Sequence, residues 1–215
     1  MLNIRFMGKF RSEEQLTEDS ILPDGAVQYQ EGETPDDLFQ TGVVLILPVL
    51  IPVILLTLIR LKPLEGHLTF DRKTACIAGL AVVCYFLLKT AHEYIHALCY
   101  PPGAQKTIWM YGRNGALFCY CNAPVSKLRF IVISLAPMVI LGIIPFIVWM
   151  FAAGSLSIAV NIAVVFMIWI MIFFAMGDAA NVYNTIRQVP KDAAVINYGM
   201  HSYWVAADKA SRISE

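Results

Sequence analysis

Residues 74–99 read "TACIAGLAVVCYFLLKTAHEYIHALC". From Thr74 to Ala91 the only charged side chain is Lys89. An apolar helix of roughly 20 residues covers the hydrocarbon core of a bilayer, so this stretch has the length of a membrane span. It then ends on His92, Glu93 and His96. Residues four apart lie one above the other on a helix, so the two imidazoles can hold one ion with Glu93 projecting beside them. Ionisable groups within an apolar span cost several kcal/mol unless they are paired or used. The same stretch therefore argues for a membrane helix and for a metal site near its end.

The rest of the chain agrees with the membrane reading. Of 215 residues 58% are apolar, against about 45–50% in soluble domains. Lys and Arg number 16 and Asp and Glu number 16, so no basic field draws nucleic acid. Apolar runs at 42–60, 74–99, 129–152 and 156–184 predict four transmembrane helices. Gly154–Ser155 predicts a tight turn joining the last two. In "KTIWMYGRNGALFCYC", β-branched and aromatic residues flank Asn114–Gly115, which predicts a β-hairpin over 106–121. The expected fold is an all-α membrane protein, four transmembrane helices with a small β-hairpin after the second. The transmembrane domain is 42–184, set between a polar acidic N-terminal tail, 1–41, and a C-terminal tail, 185–215.

The N-terminal tail has nine carboxylates and reads as solvated. Within it "SEEQ" at 12–15 can form a capping box, and "TPDD" at 34–37 offers Thr34 as a helix cap before Pro35. Its start lacks the apolar core of a cleavable signal, so the first span is expected to direct insertion. Cys76, Cys84, Cys99, Cys119 and Cys121 have no CxxC spacing and read as free thiols. Four spans put both tails and the 101–127 loop on one side. Lys106, Arg113, Lys127, Arg129, Arg187, Lys191, Lys209 and Arg212 lie there, against Arg60, Lys62, Arg72 and Lys73 on the other. That bias places both termini in the cytoplasm and the protein in the cell membrane.

A catalytic zinc takes three protein ligands and keeps one position for water. His92 and His96 supply two, and Asp178 in "AMGDAANVYN" is the expected third. Counted from residue 156, Asp178 lies about 22 residues, or roughly 33 Å, along the fourth span. His92 to His96 lie about 18 to 22 residues, or roughly 27–33 Å, along the second. Both spans enter from one side, so the three groups reach similar depths. Asn181 shares the face of Asp178 and could orient a ligand or hold substrate backbone. Lys89, one turn before Glu93, could pair with a carboxylate, approach a developing oxyanion or snorkel to the surface. Gly177 would let helices approach closely. Pro137 breaks a backbone hydrogen bond in the third span, either as a packing kink or to open a pocket. His67 and His201 fall outside the constellation.

"HEYIHAL" at the end of a span, the following hairpin, "ISLAPMVIL" at 133–141 and "GDAANVYN" at 177–184 resemble a bacterial family of small multi-pass membrane zincin peptidases. The resemblance covers roughly 74–195. That family is in turn similar to the site-2 protease type of intramembrane metalloprotease. The resemblance implies Zn2+ held by His92, His96 and Asp178, with Glu93 as the catalytic acid/base. It also implies a substrate strand added beside 106–121. The chain departs from the site-2 pattern at the third ligand, where Gly177–Asp178 stands without a nearby Asn-Pro. The expected function is a membrane-embedded zinc metallopeptidase acting on a peptide or membrane-protein substrate near the cytoplasmic face. The alternatives are a non-catalytic membrane adaptor that keeps the metal site and binds a partner through the hairpin, and a metal-dependent hydrolase of a non-peptide substrate. No sequence signal sets an oligomeric state.

Overall fold

A computed structural model describes residues 3–18, 20–31, 35–63, 71–112, 115–206 and 209. Thr34, Asn114 and His67, singled out above, lie outside the described residues. The elements in chain order begin with β1 (Ile4–Lys9), α1 (Glu14–Thr17), β2 (Val27–Gln28) and α2 (Pro35–Leu61). Next come α3 (Arg72–Cys99), β3 (Lys106–Tyr111), β4 (Ala116–Tyr120) and β5 (Val125–Ser126). The third apolar run is α4 (Lys127–Met138), a π-helical turn (Val139–Ile143) and α5 (Ile144–Ala152). The fourth is α6 (Ile158–Phe174) and α7 (Met176–Gln188), before β6 (Ala193–Tyr198) and β7 (His201–Ala206).

Four helices are long and apolar enough to cross a membrane: 40–61, 72–99, 127–155 and 158–188. Their ends follow local chemistry. Asp71 accepts the Thr74 amide at 2.8 Å to start α3. Ser126 and Ser157 accept the amides of Arg129 and Val160 to start α4 and α6. At the other end of α3, Arg129 Nε donates to the Cys99 carbonyl at 3.0 Å. Lys127 Nζ reaches the Ile186 and Val189 carbonyls at the exit of α7. The turn between α5 and α6 is stapled by buried Asn161, whose amide donates to Ala153, Leu156 and Ser157 carbonyls and accepts from Trp149 Nε1. Asn161 is 0% exposed, so these bonds satisfy a polar group that would otherwise be costly there. Ile46, Val53, Phe146, Trp149, Val165, Ile168 and Ile172 form the helical core. Leu80, Val82, Val83, Phe86 and Leu87 of α3 stay exposed, as the outer face of a membrane helix does.

The all-α expectation needs correction, because among the described residues seven strands build two sheets. In one, ordered β1-β3-β4, β3 and β4 pair antiparallel over Thr107–Tyr120 to Tyr111–Ala116, and β1 runs parallel to β3. In the other, β2-β7-β6-β5, every pairing is antiparallel. The described parts of both tails thus enter the sheets: residues 1–41 supply β1 and β2, and residues 185–215 supply the end of α7, β6 and β7. Ile4 pairs with Lys106 across about half the length of the chain, and Val27 pairs with Trp204 across most of it. The polar tail also contributes two buried anchors, Leu16 against Trp109 and Tyr120, and Tyr29 in the core around Tyr100, Phe130 and Val195. The "SEEQ" box forms by half. Gln15 Oε1 accepts the Ser12 amide at 3.3 Å, while Glu13 occupies the cap position without capping the helix, its carboxylate accepting the Met200 amide instead. These pairings gather the N-terminal segment, the 101–127 loop and the C-terminal segment on one end of the helices.

Candidate metal centre

α3 presents His92 and His96 one turn apart on a buried face. The fourth apolar helix breaks at Ala175, whose ψ of 10° interrupts the helix, so Asp178 falls in the first turn of α7. A helix N-terminus favours a carboxylate. His92 Nε2 lies 3.2 Å from Asp178 Oδ2, and His96 Nε2 lies 3.2 Å from Asp178 Oδ1. The candidate donor atoms of the three residues all fall within 4.8 Å of one another. Ligands about 2.0–2.1 Å from a tetrahedral Zn2+ stand roughly 3.3 Å apart, so the observed separations fit such an ion.

The hydrogen bonding of His96 sharpens that fit. Its Nδ1 is 2.8 Å from the Ile133 carbonyl. A carbonyl only accepts, so Nδ1 carries the proton and Nε2 is the nitrogen that faces Asp178. With Nε2 free of its proton, a cation between it and the carboxylate would satisfy both. The donor set, two imidazoles and one carboxylate, is that of catalytic zinc with an open fourth position.

Glu93 lines the same cavity, of about 260 Å³, together with Tyr100, Asn181 and Asn197. Its Oε2 accepts the Cys119 amide of β4 at 2.8 Å. One turn earlier, Lys89 Nζ donates to the Gly115 carbonyl at 2.5 Å. α3 therefore grips the β4 edge at two points, and Lys89 serves that contact instead of lining the cavity. Gly177 likewise corrects expectation. A Cβ there would meet nothing within 4 Å, whereas one on Gly42 would lie 2.4 Å from the Met176 carbonyl oxygen. The close approach is made by Gly42 of α2 against Met176 at the start of α7, the residue next to the position expected.

Tyr100 and Asn197 were missed by sequence reasoning. Tyr100 follows His96 by four residues, so helical spacing was its available signal. Asn197 comes from a segment read as a tail, and only the pairing of β6 brings it in. Asn197 Nδ2 donates to the Tyr100 hydroxyl at 3.0 Å, and Ser202 Oγ donates to Asn197 Oδ1 at 3.1 Å. Burial pushes the Tyr100 phenol up, so it stays protonated. Burial also raises the Cys119 thiol, which stays protonated. All five cysteines are free, as expected. His201 stands apart from the cavity, 3.3 Å from Glu31.

Residues 85–194 match the model of a family described as "Putative zincin peptidase", a range that includes His92, Glu93, His96 and Asp178. No curated protein and no solved structure matches the chain.

Proposed function

The chain belongs to the zincin peptidase family, and from that membership we propose that it is a membrane-embedded zinc metallopeptidase cutting peptide bonds near the cytoplasmic face. The observation that carries this is the convergence of His92, His96 and Asp178 beside a cavity that Glu93 lines. Similarity to the site-2 protease type belongs to the same proposal.

His92, His96 and Asp178 would hold the ion, and Glu93 would handle the proton. Bound zinc lowers the pKa of water and polarises a carbonyl. Glu93 accepts the proton of the attacking water and returns it to the leaving nitrogen, the usual general acid–base exchange. The Cys119 amide holds one carboxylate oxygen of Glu93, which leaves the other for that proton. Substrate enters the cavity between α3 and β4, where Phe118 and Cys119 form the wall beside Glu93. Asn181 and Tyr100 offer polar contacts to its backbone. Both termini and the sheets lie on the cytoplasmic side. The charge bias over the loops supports that, and the folded N-terminal segment adds Arg5, Lys9 and Arg11 to the same side.

Metal content with and without the ligands is the test. Purified full-length protein is expected to hold one zinc per chain, and the His92→Ala, His96→Ala double variant none. Equal metal in both would refute the reading. In cells, Glu93→Gln separates the enzyme from a non-catalytic adaptor. A phenotype matching deletion supports catalysis, and one matching wild type supports the adaptor.

A further inference from the structure

An α-helical carbonyl ordinarily accepts the amide four residues on. For Ile133 that residue is Pro137, which has no N–H and whose ring also crowds that carbonyl. Ile133 is 3% exposed, so water does not compensate for the lost bond. The carbonyl turns to another helix instead, and accepts His96 Nδ1–H at 2.8 Å. Immediately after the proline, the helix widens into the π turn Val139–Ile143. Gly142 lets that turn lie against α6, because a Cβ there would come within 2.6 Å of Ile172 Cγ1. The distortion is thus built into the packing, and it leaves one acceptor free to serve the metal site.

We propose that Pro137 is a positioning residue of this site: by withholding the amide that would bond the Ile133 carbonyl, it dedicates that carbonyl to His96 Nδ1 and so commits His96 to bind through Nε2. The proposal rests on the metal-site reading above. Metal-binding histidines commonly donate their second nitrogen to a carbonyl or carboxylate, and loss of that partner weakens binding about 10- to 100-fold. Here the acceptor exists because of a proline on a different helix. In Pro137→Ala the new amide competes for Ile133, and His96 loses its exclusive acceptor.

The experiment compares full-length wild type, Pro137→Ala and a chain carrying the α-hydroxy analogue of alanine at 137. The last places an ester there, which lacks the N–H as proline does but has no ring. Zinc affinity is measured by chelator competition, and nitrogen-15 spectra show which His96 nitrogen is protonated. Pro137→Ala is expected to bind zinc about 10- to 100-fold more weakly, and the ester to recover wild-type affinity. A proline needed only to shape the helix predicts the opposite pattern, a change in melting temperature with zinc affinity intact. Wild-type affinity in Pro137→Ala, or no recovery by the ester, overturns the proposal. Should wild type itself take up no zinc, the metallopeptidase reading fails separately. The metal-free spectra then decide Pro137, and an Nδ1–H tautomer unchanged in Pro137→Ala overturns it.

Discussion

Glu93 and the three proposed ligands, His92, His96 and Asp178, line one cavity, yet their substitutions are expected to separate cleanly. Glu93→Gln keeps the shape and the hydrogen bond from the Cys119 amide but cannot take up a proton. Peptide hydrolysis should fall by about 10²- to 10⁴-fold, the usual contribution of a general base, while zinc content stays at the wild-type level by elemental analysis. Asp178→Ala removes the carboxylate that bridges both imidazoles at 3.2 Å. Two histidines then remain, and stoichiometric zinc should be lost along with activity. A Glu93→Gln protein without metal would show that Glu93 is a ligand, which contradicts the roles assigned here.

At the scale of elements, the site depends on how α7 is held against α2 and α4. Gly42 of α2 is the tight point. Any side chain there meets the Met176 backbone, at 2.4 Å from its oxygen and 2.8 Å from its carbon. Backbone cannot swing aside as a side-chain tip can. Gly42→Ala should cost about 1–3 kcal/mol, the range for overpacking, and should weaken zinc binding by pushing Asp178 away from α3. Gly177→Ala is the matched control. Its Cβ has open space, and a helical Gly→Ala change removes backbone entropy. Thermal melting should show it at or above wild-type stability. If the two variants melted alike, the helix contact at Gly42 would have no special weight.

For the whole molecule, the proposed zinc would join α3 to α7 between His96 and Asp178, more than 80 positions apart, so metal and stability would be linked. At free zinc 100-fold above the dissociation constant, binding to the native state alone is worth about 2.7 kcal/mol. Stripping the metal with a chelator should lower the melting temperature of wild type and leave that of the His92→Ala, His96→Ala variant unchanged. Sidedness is a second property at this scale. β1 with β3 and β2 with β7 tie the N-terminal segment to the loop and to the C-terminal segment. Reporters fused to either terminus should therefore both read cytoplasmic. A split result would break the four-span topology.

Much of this was legible in residues alone. Length and apolarity determine the four spans, because a bilayer demands about twenty apolar residues per crossing and no partner is needed to see them. Helical spacing places His92 and His96 one turn apart with Glu93 beside them, and a count of residues per span brings Asp178 to their depth. These are local or additive properties. The strands β1 and β2 are neither: each is short, and its partner lies far off in the chain, as Ile4 with Lys106 and Val27 with Trp204. β6 and β7 pair with each other across Gly199–Met200, a local hairpin that the tail reading passed over. Polar composition therefore read as solvated tail. The same holds for the finest features of the site. Sequence marks Pro137 as a place where a carbonyl goes unbonded, since that follows from the missing N–H. Only the packing of α4 against α3 decides that His96 receives it, and only the docking of β4 decides that the Cys119 amide holds Glu93. A hydrogen bond between distant segments depends on positions in space, which the order of residues specifies only after the whole chain has folded.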